Sequence, residues 1–450
     1  MRLSAYVMEV VESTSRSLKV ALIALRHPIL VHWSGLMTDS LSSRTRIPRG
    51  MFRGTTSLTP LSLVVYKECA VSPFTLLVGR LSMGAREFHD GAQDGLEALE
   101  PLDPEQIESF DGLLTAMRKT AFGGRNLGEA YEVLWAMIED PDCFVVLTLS
   151  GAMTIAKMGK IISSMIDHGM VQCVVSTGAL IAHGLTESVG KTHYRHHSSM
   201  SDEELFKKGY NRVYDTLEME SNLNYVEHVV SLTMKRMNQD QPLSSETLTR
   251  ELGKTLAEEY DGAGILKSAY VKKVPVFIPA FTDSEMGLDL GTWAMSRELD
   301  RARAQLNGES DLEVLRAIQR SYPSFNPYLD LNSYASHVIS AKRRGIFTIG
   351  GGVPRNWSQQ VGPYIEICNT RLGLNVQPPR FQYGVRICPE PDYWGGLSGC
   401  TYQEGISWGK FVPPKDGGRF AEVLSDATVV WPLLMVGLLE RMKAKGTSRT

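Results

Sequence analysis

The chain has 450 residues, of which 43% are hydrophobic and 22% are charged, and its formal net charge is −3 at pH 7. Such a composition is that of an ordinary globular protein, and the length allows one large domain or two smaller ones. The near-balanced charge excludes a whole-chain attraction to nucleic acid or to an anionic membrane.

The N-terminal region differs in composition from the rest of the chain. Residues 13–67 contain a single acid against several Arg and Lys, a bias that resembles an organelle transit peptide. A poorly ordered extension, or a start codon placed too far upstream, explains the same bias and is favoured. The most apolar stretch, residues 18–31, is interrupted by charges, so no membrane span is predicted. We predict an extension and linker over residues 1–107 and a catalytic domain over residues 108–445.

Beyond residue 108, short β-branched runs alternate with longer helical stretches. Five runs read as strands: residues 144–149, 171–177, 274–279, 345–349 and 383–388. Five stretches read as helices: residues 127–138, 154–168, 224–237, 331–342 and 358–372. This alternation predicts a single large α/β domain of the doubly wound, Rossmann-like class, with a mostly parallel sheet and helices on both faces.

Six cysteines are scattered along the chain, and no two of them have C-x-x-C spacing. Neither a zinc ribbon nor a redox motif is therefore indicated. Cys143 and Cys173 lie in apolar runs and are expected in the core. A long chain with few cysteines fits a reducing compartment, and we expect a cytoplasmic protein, or an organellar one if the extension is a transit peptide.

Polar and glycine-containing segments follow four of the predicted strands, where a parallel sheet binds its ligands. They are residues 148–151, 176–178, 282–284 and 350–352. The triple glycine at 350–352 lets a backbone approach a ligand closely, and a following helix would point its amides at a phosphate. Read by itself, a tight strand–helix turn is the simpler explanation. Asp283 could bind a ribose hydroxyl or an ammonium group, and a helix N-cap by Thr282, Asp283 or Ser284 is equally compatible.

Two further patterns have simple alternatives. The run of residues 193–197 (HYRHH) suggests a metal by composition, but it lacks helical ligand spacing, so a solvated loop is favoured and no metal is predicted. Lys410 stands between Trp408, Gly409 and Phe411. Partial desolvation there would lower its pKa and free the amine to form an imine, although most lysines are surface charges.

Taken together and in this order, the motifs resemble the deoxyhypusine synthase family. The segment Ser-Trp-Gly-Lys at 407–410, preceded by Glu404, is similar to the family's active-site lysine segment. Asp426 and Ala427 match its aspartate–alanine pair. The triple glycine, the Pro-Ala-Phe-Thr-Asp segment, NLGEAYEVL at 126–134 and MIDHGMVQCVVSTGA at 165–179 also fall where the family has them. The resemblance spans residues 109–443.

The resemblance implies roles for particular residues. Lys410 would form an imine with the aminobutyl group of a polyamine, with Asn356 and Glu404 as the other catalytic candidates. Trp408, Asp283 and His183 are the candidates for binding substrate. The candidates for binding NAD are Ser150, Thr177, Gly178, Gly351, Gly352, Ser398, Asp426 and Ala427.

Several positions depart from the family's pattern. Asn356 stands where the family enzymes that make deoxyhypusine carry a histidine, and residues 181–183 (Ile-Ala-His) replace an acidic run. The segment at 395–399 (GGLSG) lacks the family's acid, and the second aspartate of the Thr-Asp motif falls at Leu288, with Asp289 one residue on. These changes are closer to the bacterial-type deoxyhypusine synthase-like branch.

The resemblance implies an NAD-dependent transferase that moves the aminobutyl group of a spermidine-like donor through a lysine imine, in a homotetramer. The acceptor would be a protein lysine, on a partner like translation factor 5A, or a small diamine in a homospermidine synthase-type reaction. A catalytically weak paralogue that regulates an active subunit, and a plain nicotinamide oxidoreductase, are the rival hypotheses. Neither nucleic acid nor a membrane is expected as a partner.

Overall fold

The structure is a computed structural model that describes residues 88–446. Residues 1–87 of the extension and linker predicted over residues 1–107, and with them the predicted targeting segment, lie outside the described residues. Between residues 88 and 107 the chain forms a turn and a short 3₁₀ helix, Pro104–Gln106, capped by Asp103. No helix in the described part of the chain is long and apolar enough to cross a membrane.

A six-stranded, entirely parallel sheet forms the centre of the fold, and this confirms the predicted α/β class. Its strands, in the spatial order β6-β2-β1-β7-β8-β9, are β1 (Cys143–Leu149), β2 (Cys173–Ser176), β6 (Val276–Phe277), β7 (Arg343–Ile349), β8 (Tyr383–Ile387) and β9 (Arg419–Val423). A small antiparallel sheet, in the order β3-β5-β4, has the strands β3 (Tyr194–Arg195), β4 (Tyr210–Val213) and β5 (Thr216–Met219). All five predicted runs contain a strand, whereas β9 and the small sheet were not predicted.

Sixteen α-helices connect these strands in the described part of the chain. They are α1 (Phe110–Arg118), α2 (Phe122–Glu139), α3 (Gly159–Asp167), α4 (Gly178–Ser188), α5 (Asp202–Lys207), α6 (Glu220–Arg236), α7 (Ser245–Glu259), α8 (Ile265–Lys272), α9 (Glu285–Ser296), α10 (Leu299–Gln305), α11 (Asp311–Ile318), α12 (Pro327–Ser340), α13 (Gly352–Gln359), α14 (Val361–Leu372), α15 (Tyr402–Ser407) and α16 (Ala427–Lys445).

Two of the predicted helices differ from the observed ones. The helix predicted over 154–168 begins only at Gly159, because Lys157 has a φ of 66° that a right-handed helix does not allow. The helix predicted over 358–372 is two helices, α13 and α14, which join at Gln360. The pattern of apolar residues continues across this join, so the sequence gives no sign of it.

Alternate residues of the central strands enter two different hydrophobic cores. On β1, Val145 and Leu147 pack into one core with α2 and α16, whereas Val146 packs into the other with α12 and α14. Because successive side chains of a strand point to opposite faces, this division shows that helices cover both faces of the sheet. Cys143 and Cys173 are both buried in these cores, as predicted.

The strand order reverses between β1 and β7, the two central strands. From β1 the chain proceeds to β2 and β6 on one side, and from β7 to β8 and β9 on the other. The two strands pair in register from Cys143↔Arg343 to Leu149↔Ile349, so their carboxyl ends lie side by side. Such a reversal opens a crevice beyond the strand ends, which is where doubly wound sheets bind ligands.

Candidate active site

Lys410 follows the short helix α15 and is held in place by the backbone. Gly409, with a φ of 69°, turns the chain at the end of α15 in a conformation that favours glycine. The carbonyl oxygen of Lys410 then accepts a 3.0 Å hydrogen bond from the amide of Phe381, and its own amide donates to Gly405 over 3.1 Å. Hydrogen bonds therefore hold both the amide and the carbonyl group of Lys410 in place.

The side chain of Lys410 extends to Asn356 in helix α13. Its Nζ donates a hydrogen bond of 3.1 Å to Oδ1 of Asn356. The side chain is half-buried, and this burial lowers the pKa of Lys410, with repulsion from the Arg355 guanidinium acting in the same direction. The predicted partial desolvation of Lys410 is confirmed. Asn356 can orient the amine, but an amide cannot take a proton from it.

Trp408 and Glu404 lie near Lys410 but do not enclose it. The Trp408 side chain is 64% exposed, and its ring centroid lies 6.0 Å from Nζ of Lys410, at the outer limit of a cation–π contact. Glu404 is exposed, and its amide donates to the Thr401 hydroxyl that caps α15. The exposed ring of Trp408 therefore does not exclude water from the amine of Lys410.

A second group of predicted residues meets in the crevice between β1 and β7. The hydroxyl of Ser150 accepts a 2.8 Å hydrogen bond from the amide of Gly351. A Cβ atom on Gly350 would lie 2.3 Å from the Ser150 hydroxyl, and one on Gly351 would lie 2.5 Å from Cα of Ser398. These glycines are required by close packing, and they bring three of the predicted cofactor ligands, Ser150, Gly351 and Ser398, together.

The loops that follow β2 and β6 also pack against each other. A Cβ atom on Gly178 would lie 2.2 Å from the hydroxyl of Ser284. Ser284 caps helix α9, since its hydroxyl accepts from the amide of Gly287 over 3.3 Å. Thr177 is the N-cap residue of α4 and makes no side-chain cap. Because Ser284 is the cap, the exposed carboxylate of Asp283 remains available to a ligand.

The last three predicted cofactor residues have local structural roles. Asp426 caps helix α16 by accepting from the amide of Thr428 over 2.8 Å, and Ala427 is buried behind it. Gly352 opens helix α13 with a φ of 62°, a conformation that glycine adopts without strain. Their contacts with a cofactor stay a prediction.

His183 lies in a buried polar cluster that was not predicted. Its Nδ1 is 3.3 Å from Oε2 of Glu218, and its Nε2 is 3.9 Å from Oε1 of Glu285. His193 lies in the same cluster, 2.6 Å from Glu218, and its side chain is fully buried. The prediction that residues 193–197 form a solvated loop is therefore wrong for His193, although Tyr194, Arg195 and His197 are exposed.

Two buried arginines, Arg355 and Arg386, have environments that were also not predicted, and Arg355 lies near Lys410. Arg386 forms a 2.6 Å ion pair with Glu422. Arg355, only 2% exposed, stacks over the ring of Tyr402 at 5.5 Å, and its Nε has no hydrogen-bond partner. Burial lowers the pKa of Arg355. The positive charge of Arg355 favours a neutral Lys410.

Asp289, in helix α9, has an unusual carboxyl group. Burial, together with the nearby charges of Glu227 and Glu285, raises the pKa of Asp289 to about 7. Nothing in the sequence around Asp289 indicates this, because Glu227 is contributed by another helix, α6. The negative charges of Glu227 and Glu285 repel that of Asp289, and a bound cation would relieve this repulsion.

Replacing Asp289 with asparagine is expected to stabilise the protein in a pH-dependent way. Below pH 4 the group is protonated in both states and contributes nothing. Between pH 4 and 7 the unfolded carboxyl ionises while the folded one keeps its proton, so the folded state loses stability. We expect Asp289→Asn to raise the unfolding free energy by roughly 1–2 kcal/mol at pH 8, after allowance for its partial exposure. The gain should shrink toward pH 5.

Urea unfolding at pH 5 and pH 8 measures this gain. Asp283→Asn, which changes an exposed carboxyl six residues earlier, is the control. An equal effect of Asp289→Asn at both pH values would contradict the raised pKa.

Known proteins are similar to this chain over most of its length. Residues 112–438 match the family model described as deoxyhypusine synthase. "Probable deoxyhypusine synthase 2" of Methanosarcina acetivorans is 32% identical over 344 residues, which cover 76% of this chain and 89% of the relative. The "Deoxyhypusine synthase-like protein" of Chlorobaculum parvum is 31% identical over 324 residues, which cover 72% of this chain and 84% of the relative.

Among solved structures, the "Crystal Structure of a putative deoxyhypusine synthase from Entamoeba histolytica" superposes with a TM-score of 0.45 at 14% identity, over 76% of this chain and 97% of that one. The family model matches most of the chain. The sequence relatives are aligned over most of this chain and over most of their own lengths. The chain therefore belongs to the deoxyhypusine synthase family.

Proposed function

We propose that this protein is an NAD-dependent aminobutyl transferase in which Lys410 carries the transferred group as an imine. The observation that supports this most directly is the state of Lys410. Its amine is half-buried, its pKa is lowered, and its Nζ is oriented by Asn356 at 3.1 Å. A lysine must be neutral to attack a carbon centre, and burial beside another cation favours the neutral form. Family membership supports aminobutyl transfer in general.

The crevice between β1 and β7 suits a dinucleotide. It lies at the reversal of strand order, and Gly350 and Gly351 leave no room for a side chain against Ser150 and Ser398. The amides that follow the triple glycine open helix α13, where a phosphate would be stabilised. Ser150, Gly351 and Ser398 would hold NAD there. Bound NAD would supply a hydride acceptor that later returns the hydride.

The proposed reaction exchanges C–N bonds at Lys410. Loss of a hydride and a proton converts the donor's amine to an imine. The neutral amine of Lys410 adds to the imine carbon, and the rest of the polyamine leaves as an amine. The acceptor amine then displaces Lys410, and return of the hydride gives a secondary amine. Asn356 positions Nζ throughout, and because an amide does not titrate, water or the substrate amine must carry the proton.

The acids near Asp289 suit the charged end of a polyamine. Asp289, Glu227 and Glu285 repel one another, and an ammonium group among them would lower the pKa of Asp289 from about 7. Asp283, exposed at the start of α9, offers a further carboxylate for an ammonium or a ribose hydroxyl. This favours an amine substrate over the neutral substrates of an ordinary nicotinamide oxidoreductase. Assembly as a homotetramer stays part of the proposal.

Intact-mass analysis tests the proposal. The purified full-length protein is incubated with NAD and spermidine, reduced with borohydride and digested for peptide mapping. We expect an aminobutyl adduct on the peptide that carries Lys410, dependent on NAD. Addition of putrescine, or of a translation factor 5A-like protein, identifies the acceptor by loss of the adduct and gain of the product.

Three outcomes separate the alternatives. An adduct that only putrescine removes supports a homospermidine synthase-type reaction. Net release of NADH without an adduct supports an oxidoreductase. Absence of an adduct with spermidine, putrescine and agmatine, despite measured NAD binding, would falsify the transferase and favour a regulatory paralogue.

A further inference from the structure

A second cluster of chemically reactive side chains lies in the loops beyond β2. It joins His183 of helix α4, His193 in the loop before β3, and Glu218 of strand β5. One donor atom from each residue lies within 4.8 Å of the other two. The three residues come from separate segments, so only the folded chain brings them together.

The carboxylate of Glu218 is held in one orientation. Its Oε1 accepts hydrogen bonds from the amide of Met219 at 3.1 Å and from Nδ2 of Asn222 at 2.9 Å. Its Oε2 is thereby turned toward both imidazoles and accepts from the Thr186 hydroxyl at 3.2 Å. The side chain of Glu218 is fully buried. The cluster therefore contains a fixed, buried anion.

His193 is not fully satisfied within this cluster. Its side chain is completely buried, and Nε2 lies 2.6 Å from Oε2 of Glu218. Although the two atoms are this close, Nε2 of His193 has no hydrogen-bond partner. A buried polar atom without a partner is costly, and its presence calls for an explanation such as an ion.

We propose that His183, His193 and Glu218 bind a divalent transition-metal ion of the Zn²⁺ class, with water in the fourth position. Two imidazole nitrogens and one carboxylate oxygen form a ligand set that suits Zn²⁺. Bonds of about 2.0–2.1 Å to a tetrahedral ion place its ligand atoms roughly 3.3 Å apart. The 3.3 Å separation of Glu218 and His183 already fits, and the 2.6 Å separation to His193 must open by less than about 1 Å.

Thr186, Met219 and Asn222 would orient the carboxylate ligand from outside, as the neighbours of metal ligands commonly do. The ion would join helix α4 to the small antiparallel sheet, whose three strands are only two to four residues long. An ion bound there would cross-link the small sheet to the main domain, so its binding should stabilise the folded protein.

One contact opposes the ion. Nζ of Lys157 lies 2.9 Å from Nδ1 of His193, which must carry a proton when Nε2 binds a metal. Lys157 must turn away when the ion binds, and it can do so because it is partly exposed and already paired with Glu187 at 2.8 Å. Lys157 thus competes with the ion, and removing its charge should strengthen metal binding.

Metal titration of the full-length protein tests the proposal. After chelation and dialysis, Zn²⁺ binding is measured by calorimetry and elemental analysis, and Co²⁺ binding by its visible absorption. We expect one ion per chain, a higher Tm with Zn²⁺, and a Kd at least about a hundredfold weaker in His193→Gln and Glu218→Gln. Lys157→Gln should bind more tightly than the wild type.

His197→Gln is the matched control, since this histidine belongs to the same HYRHH run but is exposed. It should retain the wild-type Kd. If His193→Gln fails to fold, His183→Gln, whose side chain is 14% exposed, replaces it. Absence of stoichiometric Zn²⁺ in the wild type, or an unchanged Kd in the ligand variants, would show that the cluster is only a hydrogen-bonded Lys–His–Glu chain.

Discussion

Replacement of Lys410 with alanine is expected to reduce aminobutyl transfer by roughly a thousandfold or more, because the variant lacks the amine on which the proposed imine forms. Lys410→Arg should be equally inactive, since a guanidinium keeps the charge but remains protonated and cannot form an imine. Transfer is measured with radiolabelled spermidine, and NAD binding is measured separately. Both variants should bind NAD as the wild type does.

Lys415→Ala, which removes an exposed lysine five residues on, is the control and should keep full activity. Substantial transfer by Lys410→Ala would assign the imine to another residue. Adduct formation by the wild type should increase with pH as Lys410 loses its proton. Because burial lowers the pKa of Lys410, this increase should occur below the ordinary lysine value of 10.5.

Replacement of Trp431 with alanine should destabilise the protein by about 3–5 kcal/mol, the cost of emptying a large, well-packed position. Trp431 is 1% exposed in helix α16 and meets Phe347 of strand β7 edge to face, at 6.2 Å between ring centroids. Its Nε1 has no hydrogen-bond partner, so the loss arises from packing alone. The midpoint of guanidinium unfolding measures the effect.

Trp394→Ala is the matched control, because this tryptophan is 69% exposed. It should change the unfolding free energy by less than about 0.5 kcal/mol. Equal effects of the two substitutions would mean that α16 does not anchor the sheet as the structure indicates.

The central fold could be predicted because each buried strand carries its own local signal. Runs such as residues 144–149 and 345–349 are apolar except for Thr148 and Thr348, since both faces of a parallel sheet are covered. Strand β9, with the sequence RFAEV, contains two charged residues at the edge of the sheet, so it lacks that signal. The small sheet is short and polar, and its strands are exposed at many positions.

The partial burial of Lys410 and the close packing at the triple glycine could be predicted because both are indicated by residue types within a short stretch of the sequence. The order of these motifs along the chain also resembles that of a known family. The environment of a side chain is not local. His193 lies in a polar run yet is buried. It lies 2.6 Å from the carboxylate of Glu218, which a later strand contributes. The pKa of Asp289 likewise depends on Glu227 from another helix. Burial and pKa shifts of this kind depend on pairs of residues that are far apart in the sequence, and one sequence alone does not show which residues are in contact.

The pairing of β1 with β7 also affects how the protein is made. Val146 lies beside Ile346, a partner synthesised 200 residues later. At about 5–20 residues per second, a ribosome needs roughly 10–40 s to produce that partner. During this interval β1 and β2 have emerged with one long edge unpaired and strongly apolar, the kind of surface that aggregates. Production of this protein should therefore depend on chaperones that cover the first half of the sheet until the second half has been translated.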